Sequence, residues 1–272
     1  MILAFLFLPF FAWATDYYVA TNGNDSTGFP GDINHPFATV QYVIDTYTLV
    51  GGDRVILRGG TYTEQVRIGA RNSGSGGNYI TLMNYANEDV IMNGVGFQHG
   101  VEAVLEIGWG SGSNVTSYIK VDGSGNDNGY HLIFDGSGNN KRGIETRNVD
   151  HAWIKNVEAK NFTGTANGEI GIKMTSLMPD MAGGGGTDPG AGVDGTRNSL
   201  VENCLLHNND QYAIKVSGWN TSNNVIRIIS SILRHIIMGA TYQDLVMKLI
   251  RQQEMNSMRM KFMATTEQMA EG

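Results

Sequence analysis

The fold is decided by the stretch Asp53-Arg-Val-Ile-Leu-Arg-Gly-Gly-Thr-Tyr-Thr-Glu-Gln-Val-Arg-Ile68. Val55 and Leu57 are two positions apart, and so are Val66 and Ile68 on either side of Arg67, which is the period of a half-buried strand. Two glycines separate these runs, without the Asn-Gly or Asp-Gly pair that is typical of a hairpin turn. We therefore interpret the two strands as two sides of one turn of a coil that repeats along the chain.

Two short motifs recur further along the chain, as such a coil requires. Their copies are Gly143-Ile144-Glu145, Gly171-Ile172-Lys173 and Ala213-Ile214-Lys215 for the first motif, and Ile154-Lys155-Asn156, Val201-Glu202-Asn203 and Val225-Ile226-Arg227 for the second. The second motif starts at positions 154, 201 and 225. This spacing fits a coil of about two dozen residues if the Gly-rich residues 178–198, which have no strand pattern, are an insertion. Asparagine next to these strands suits left-handed corners and hydrogen bonds along a stack.

A short helix is predicted before the first coil. Pro36 suits a first helical turn, and Phe37, Val40 and residues 42–44 form one apolar face. A helix at this place would cover the open strand edges at the end of the coil. The predicted fold is therefore all-β, a parallel β-helix (solenoid) with a short N-terminal capping helix.

The sequence around these elements resembles a known family. The motifs that carry the resemblance are Tyr17-Tyr18-Val19, Asn22-Gly23-x-Asp25, Pro36-Phe37-Ala38-Thr39-Val40-Gln41, Gly52-Asp53-Arg54-Val55 and Gly60-Thr61-Tyr62. They are similar to the opening of secreted right-handed parallel β-helix proteins of the pectate-lyase-like superfamily, including the family-nine polysaccharide lyases. Residues 78–94 also resemble the chondroitinase-B and alginate-lyase branch. The resemblance covers residues 16–227 and implies a right-handed coil, a scaffold that carries lyases, hydrolases, esterases and adhesins alike.

The composition agrees with many short strands and bears on which ligands and metal sites the protein can have. The 272 residues include 36 Gly and only 5 Pro, which suits tight corners. The net charge of −7 argues against a nucleic-acid partner, although a local basic groove can still bind an acidic sugar polymer. The single cysteine, Cys204, excludes an internal disulfide and a Cys-based zinc site, and we interpret it as a small apolar residue on a buried strand.

The N-terminus predicts export. Residues 1–14 are an apolar run that is too short to span a bilayer and ends in Ala12-Trp13-Ala14, a pattern typical of signal-peptide cleavage. The positive charge that usually precedes such a run is missing, so a buried first strand is the alternative. The signal-peptide interpretation predicts a secreted, extracellular or periplasmic protein with no stable membrane insertion, and we expect a monomer.

Residues 228–272 differ from the rest of the chain because they are rich in Met, poor in Gly and helix-like. One interpretation is a genuine C-terminal helix. We favour a frameshift, because one restored base after Arg227 can give Asn-Asn-Ile-Phe-Asn and places Asn where Asn156 and Asn203 end their motifs. This hypothesis predicts a β-helix domain over residues 15–227 and a tail without function.

The resemblance also implies candidate catalytic residues. A uronate lyase removes the proton α to a carboxylate, which requires a base such as Lys or Arg and a cation, often Ca²⁺, near the carboxylate. Lys215 in Ile-Lys-Val-Ser-Gly resembles the base of family-nine lyases, which lies in a Phe-Lys-Leu-Gly-like strand. The family holds calcium with an adjacent Asp pair followed by Gly. Asp210-Gln211-Tyr212 departs from that pair, and the missing ligands are expected in the lost C-terminal part.

The remaining candidates have structural alternatives. Asp188 and Asp194 in the insertion are either ligands of a cation, together with Asp210, or ordinary loop residues. For Asp210 the alternative role is that of a turn residue. Lys173 is the equivalent of Lys215, so the two are either substrate-binding and catalytic or simply solvated. Three further candidates for sugar binding are Tyr212, Trp219 and His207, the last with a plain surface histidine as its alternative.

Three functions remain open. The first is a secreted polysaccharide lyase that acts on an acidic polysaccharide such as pectate. The second is a non-catalytic β-helix that binds glycan or a surface, or an inactive fragment of a lyase. The third is a glycoside hydrolase with two carboxylates, against which the lack of paired acids at equivalent positions counts.

Overall fold

The structure, a computed structural model, describes residues 14–93, 103–108, 115–137, 142–164, 169–176, 195–217, 221 and 223–227, and the backbone of residues 236–238. The chain divides into two compact units, Met1–Ile236 and Ile237–Gly272. All described side chains belong to the first unit.

The described elements are one short helix and a series of strands of three to seven residues. In chain order they are β1 (Asp16–Val19), α1 (Val40–Thr46), β2 (Arg54–Leu57), β3 (Gly60–Tyr62), β4 (Val66–Ile68), β5 (Ile80–Asn84), β6 (Val90–Asn93), β7 (Ala103–Ile107), β8 (Thr116–Asp122), β9 (Leu132–Asp135), β10 (Arg142–Arg147), β11 (Val149–Lys155), β12 (Val157–Lys160), β13 (Ile170–Thr175), β14 (Leu200–Glu202), β15 (Leu205–His207), β16 (Tyr212–Val216), β17 (Val225–Arg227) and β18 (Ile236–Met238).

These strands wind into a coil with three sides. From β2 to β14, each strand pairs in parallel with the strand three places later in the chain, so that β2 pairs with β5 and β3 with β6, whereas β1 pairs with β2. Sheet I contains β1, β2, β5, β8, β11, β14 and β17, sheet II contains β3, β6, β9, β12 and β15, and sheet III contains, within residues 14–227, β4, β7, β10, β13 and β16, each in that spatial order. The predicted right-handed parallel β-helix is confirmed. The decisive stretch supplies all three sides of a coil, β2, β3 and β4, rather than the two sides that its sequence indicated.

The core is made of columns of apolar side chains, one column inside each sheet. Alternate residues of a strand point to opposite faces, so the inward residue of every coil lies above that of the coil before. The buried columns are Val55, Leu82, Val121, Ile154, Val201 and Ile226 in sheet I, Tyr62, Met92, Phe134, Ala159 and Leu206 in sheet II, and Val66, Leu105, Ile144, Ile172 and Ile214 in sheet III. Burial of these columns is the main favourable term in folding.

The predicted repeats hold, with one error of register. Ile154 pairs with Val201, as the motif required. Val201 pairs with Ile226 rather than with Val225, the residue aligned with it from the sequence. Val225 and Ile226 are both apolar, so their residue types do not show which of them faces the core. In the structure only Ile226 is buried.

The predicted insertion is shorter than residues 178–198. Gly195 forms a bridge with Ser176, and Arg197 forms a parallel bridge with Asp150. The chain has therefore rejoined the coil by Gly195.

The predicted role of asparagine at the corners is confirmed. Asn156 and Asn203 have φ values of 54° and 47°, and Asn161 and Asn208 have values of 61° and 53°. The side-chain amide of Asn208 donates to Asn161 Oδ1 of the coil before it, at 3.4 Å. Asparagine tolerates this left-handed conformation better than most residues, which explains its recurrence at the ends of strands.

Replacing Asn156 by alanine is expected to lower the free energy of unfolding by about 2–3 kcal/mol, because alanine is strained at positive φ and cannot replace the hydrogen bond to the Asn128 carbonyl. Asn156→Gly keeps the backbone conformation and loses only the hydrogen bond, so it should cost about 1 kcal/mol. Urea denaturation of both variants measures the difference. Equal losses would contradict the conformational argument.

Helix α1 begins at Val40 and is capped from outside the helix. Both oxygens of Glu64 accept first-turn amides, from Val40 and Gln41, each at 3.0 Å. Burial raises the pKa of Glu64, and these two hydrogen bonds act in the opposite direction. Thr39 is the N-cap residue, so the prediction that Pro36 lies in the first turn is wrong. Pro36 belongs to the loop that ends in the Val19–Phe37 bridge.

The helix covers the exposed edge of sheet III. The Gln41 side chain accepts from the Arg67 amide at 2.7 Å and donates to the Arg67 carbonyl at 3.4 Å. A side-chain amide thus takes the place of the neighbouring strand that β4 lacks on this side. The predicted capping helix is confirmed.

The predicted signal peptide and tail fall outside the described residues, apart from Ala14 and the backbone of β18. The frameshift and the boundaries at residues 14 and 227 stay predictions. Within the described part of the chain, no helix is long and apolar enough to cross a bilayer.

Candidate functional site

The candidate site is a column of charged side chains on the outer face of sheet III. Each member directly follows an inward-facing residue of the buried column, so it points away from the core. From β4 to β16 the members are Arg67, Glu106, Glu145, Lys173 and Lys215, each in register with the next. We call these five residues the ionic column.

The middle of the ionic column is buried although it points outward. Glu106 is 1% exposed, Glu145 is 0% exposed and Lys173 is 6% exposed. Charged side chains are rarely so buried unless they are paired. Arg67 Nε lies 3.0 Å from Glu106 Oε2, and Lys173 Nζ lies 3.5 Å from Glu145 Oε1.

Two arginines of strand β10 complete the charge balance around Glu145. Arg142 Nη1 and Arg147 Nη2 each lie 2.9 Å from Glu145 Oε2, and both side chains are largely buried. One carboxylate therefore faces three cations. Among the described residues, the ionic column and its two flanking arginines carry five cationic and two acidic side chains.

Lys215 ends the ionic column and is only partly buried. Its Nζ lies 5.5 Å from the centre of the Tyr212 ring in the same strand. The structure therefore brings three predicted site residues together: Lys215, Tyr212 and, one strand away, Lys173. The alternative of a solvated lysine is wrong for Lys173, which is buried and ion-paired.

His207 lies elsewhere, on sheet II. Its Nε2 is 2.7 Å from Glu158 Oε1, and Lys160 Nζ contacts the same carboxylate oxygen at 3.0 Å. The structure does not bring His207 to the face that carries Lys215. Its predicted contact with substrate stays a prediction.

Asp210 lies in the corner between β15 and β16 and hydrogen-bonds to the corner that follows β12 in the coil before it. Its Oδ2 accepts from the Gly164 amide at 2.9 Å, and its own amide donates to the Phe162 carbonyl at 3.0 Å. This geometry matches the turn role that the sequence offered as an alternative. Its role as a metal ligand stays a prediction.

Three other predicted site residues, Asp188, Asp194 and Trp219, lie outside the described residues. Within the described ranges, no three His, Cys, Asp or Glu side chains converge as they would around a metal ion. The residues that the structure describes do not fit the calcium ion implied by the resemblance.

Sequence reasoning missed the acidic members of the site. The statement that paired acids are lacking at equivalent positions is wrong, because Glu106 and Glu145 are in register on neighbouring strands. The signal was present: Leu105-Glu106 repeats the pattern of Ile144-Glu145, one coil earlier. The coils differ in length, so this repeat has no constant spacing in the sequence.

Cys204 is fully buried, and burial raises the pKa of its thiol to about 12. The thiol therefore stays protonated at neutral pH and is not a nucleophile. It lies at the corner between β14 and β15, rather than on a strand as predicted.

Comparison with known proteins finds partial similarity. No family model matches the chain. It is 36% identical over 81 residues to Pectate lyase PEL9 of Emericella nidulans, which is 30% of this chain and 19% of that protein. It is 36% identical over 80 residues to Uncharacterized protein YwoF of Bacillus subtilis, which is 29% of this chain and 16% of that protein. The chain thus spans less than a fifth of the length of these relatives.

A solved rhamnogalacturonan lyase has a TM-score of 0.49 at 15% identity, covering 84% of this chain and 65% of that one. The three parallel sheets, stacked coil by coil, are visible in this chain's own strand pairing. By its strand pairing the chain is a parallel β-helix protein, and over 81 of its residues it is similar to a pectate lyase.

Proposed function

We propose that this protein cleaves a uronate-containing polysaccharide by β-elimination at the outer face of sheet III. The observation that carries the proposal is the ionic column, in which cations outnumber acids and which ends at the partly exposed Lys215. A cationic strip on a protein of net charge −7 is complementary to an acidic polymer. The similarity to a pectate lyase over 81 residues supports the same class of substrate.

In the proposed reaction Lys215 is the base. Its neutral amine takes the proton from the carbon α to the uronate carboxylate, and the electron pair of the broken C–H bond forms a carbon–carbon double bond. The bond to the glycosidic oxygen on the β carbon breaks, and that oxygen leaves with the bonding electrons and takes up a proton. Lys173, paired with Glu145, favours the negative charge that develops on the sugar. Tyr212, whose ring centre lies 5.5 Å from Lys215 Nζ, contacts a sugar ring in this proposal.

A non-catalytic glycan-binding β-helix is the second candidate. It is favoured by Asp210, the described member of the predicted calcium ligands, whose Oδ2 accepts from the Gly164 amide as in a turn. In either case we propose an exported protein, as residues 1–14 predict, and we expect it to work as a monomer.

Hydrolysis by the Glu106–Glu145 pair is the third possibility, because their register places two carboxylates side by side. Both side chains are almost fully buried and engaged with cations. A sugar does not reach either carboxylate in this arrangement, so we rank hydrolysis below elimination.

Incubation with polygalacturonate separates the three functions. Elimination produces an unsaturated uronate whose ultraviolet absorbance rises with time, which is the expected result. New reducing ends without absorbance would indicate hydrolysis, and sedimentation with the polymer without cleavage would indicate binding alone. Parallel reactions with added calcium and with a chelator test whether calcium, predicted at Asp188, Asp194 and Asp210, takes part.

A further inference from the structure

A cleft of about 510 Å³ lies between helix α1 and strand β4, at the β4 end of the ionic column. Its polar lining includes Gln41, Asp45, Gln65, Arg67 and Arg71. Arg67 belongs to both the cleft and the ionic column, whose buried middle separates the cleft from the partly exposed Lys215. The proposed reaction at Lys215 makes no use of this cleft.

Arg71 is held in place in a way that leaves part of its guanidinium available. Its Nη2, which carries two hydrogens, donates to the carbonyls of Ile44 and Asp45 at the end of α1, at 2.5 and 2.6 Å, and lies 3.4 Å from the Tyr47 carbonyl. All these hydrogen bonds use one nitrogen, and among the described residues Nε and Nη1 have no partner. A guanidinium offers its donors in a planar fork that matches a carboxylate.

Arg71 supplies the cationic donors of the cleft. The other lining arginine, Arg67, is already paired with Glu106 at 3.0 Å, and the lining aspartate, Asp45, has its Oδ1 held by Gln41 Nε2 at 2.9 Å. Gln41 and Gln65 add amide groups, which hydrogen-bond to sugar hydroxyls as readily as to protein. This combination is a concave site with a few convergent polar groups.

We infer that the cleft between α1 and β4 is a remote subsite that binds a carboxylate-bearing sugar residue of the acidic polysaccharide, and this inference rests on the proposed function. Arg67 and Lys215 lie four strands apart, which is about 19 Å at about 4.8 Å per strand. A chain of several sugars is needed to span that distance. The cleft therefore selects for long substrates and contributes little to the binding of short ones.

Two variants with opposite expected effects test the inference. Arg71→Gln keeps an amide donor for the helix carbonyls but removes the charge, and should weaken the binding of long oligogalacturonates about tenfold. Asp45→Asn keeps the acceptor for Gln41 and removes a repulsive charge, so it should tighten the same binding by about threefold. Isothermal titration calorimetry with long and short oligogalacturonates measures both, and short ones should bind all proteins alike.

The controls separate this subsite from damage and from general charge effects. Asp32→Asn changes the net charge equally in an exposed loop outside the cleft, and should leave affinity unchanged. If Arg71→Gln does not fold, Asp45→Asn decides alone, because tighter binding does not arise from damage. Unchanged affinity for long oligomers in Asp45→Asn, or an equal effect of Asp32→Asn, would overturn the inference. Both variants and the control are titrated in the Lys215→Ala background, so that binding is measured without turnover, and a failed absorbance assay of the parent refutes the lyase proposal and leaves the subsite standing.

Discussion

Replacing Glu145 by alanine is expected to lower the free energy of unfolding by about 3–5 kcal/mol. Glu145 is fully buried and lies within 3.5 Å of cationic nitrogens of Arg142, Arg147 and Lys173. Without this carboxylate, the three cationic side chains stay largely shielded from water and lose the negative charge that Glu145 provides. The cost of leaving a buried charge uncompensated exceeds that of breaking any exposed pair.

The matched control is Asp16→Ala. Asp16 makes two hydrogen bonds of 2.6 Å to Arg54, shorter than those of Glu145, but the Arg54 side chain is 49% exposed. Water replaces the lost partner there, so the expected loss is at most about 1 kcal/mol. Urea denaturation of the two variants and the parent gives the comparison. If the two variants lose similar free energies of unfolding, the burial of Glu145 does not increase its contribution to stability.

The fold was readable from the sequence because stacking imposes simple rules. Inward residues such as Ile144, Ile172 and Ile214 must be apolar at every coil, and corners with positive φ favour Asn156 and Asn203, so both leave a repeated signal. The register of β17 was not predicted correctly. Val225 and Ile226 are both apolar, so the sequence does not distinguish them, and only the pairing of β17 with β14 fixes which of them faces the core.

The site was only partly readable, for a different reason. The alternation of a strand separates inward from outward residues, but it does not say whether an outward residue meets water. Lys173 was recognised as the equivalent of Lys215, yet one is buried in an ion pair and the other is partly exposed. Glu106 and Glu145 become neighbours only through the pairing of β7 with β10, one full coil apart, and no local pattern fixes the length of that coil.

Replacing Lys215 by alanine is expected to lower kcat for β-elimination by about 10²–10⁴-fold, the usual contribution of a positioned base. The fold should survive, because Lys215 is partly exposed, and a thermal melt close to that of the parent checks this. Lys215→Arg sharpens the test. Arginine keeps the positive charge, but its guanidinium loses a proton far less readily than a lysine amine does, so the variant should retain affinity for oligogalacturonate and lose most of its turnover.

Lys160→Ala is the control, because Lys160 is another partly exposed strand lysine but lies on sheet II beside Glu158. It should keep full activity. The split between binding and turnover is what distinguishes a base from a cation that only attracts the polymer. If Lys215→Arg turns over polygalacturonate as fast as the parent, Lys215 acts through its charge alone, and the proton must be taken by another group on this face.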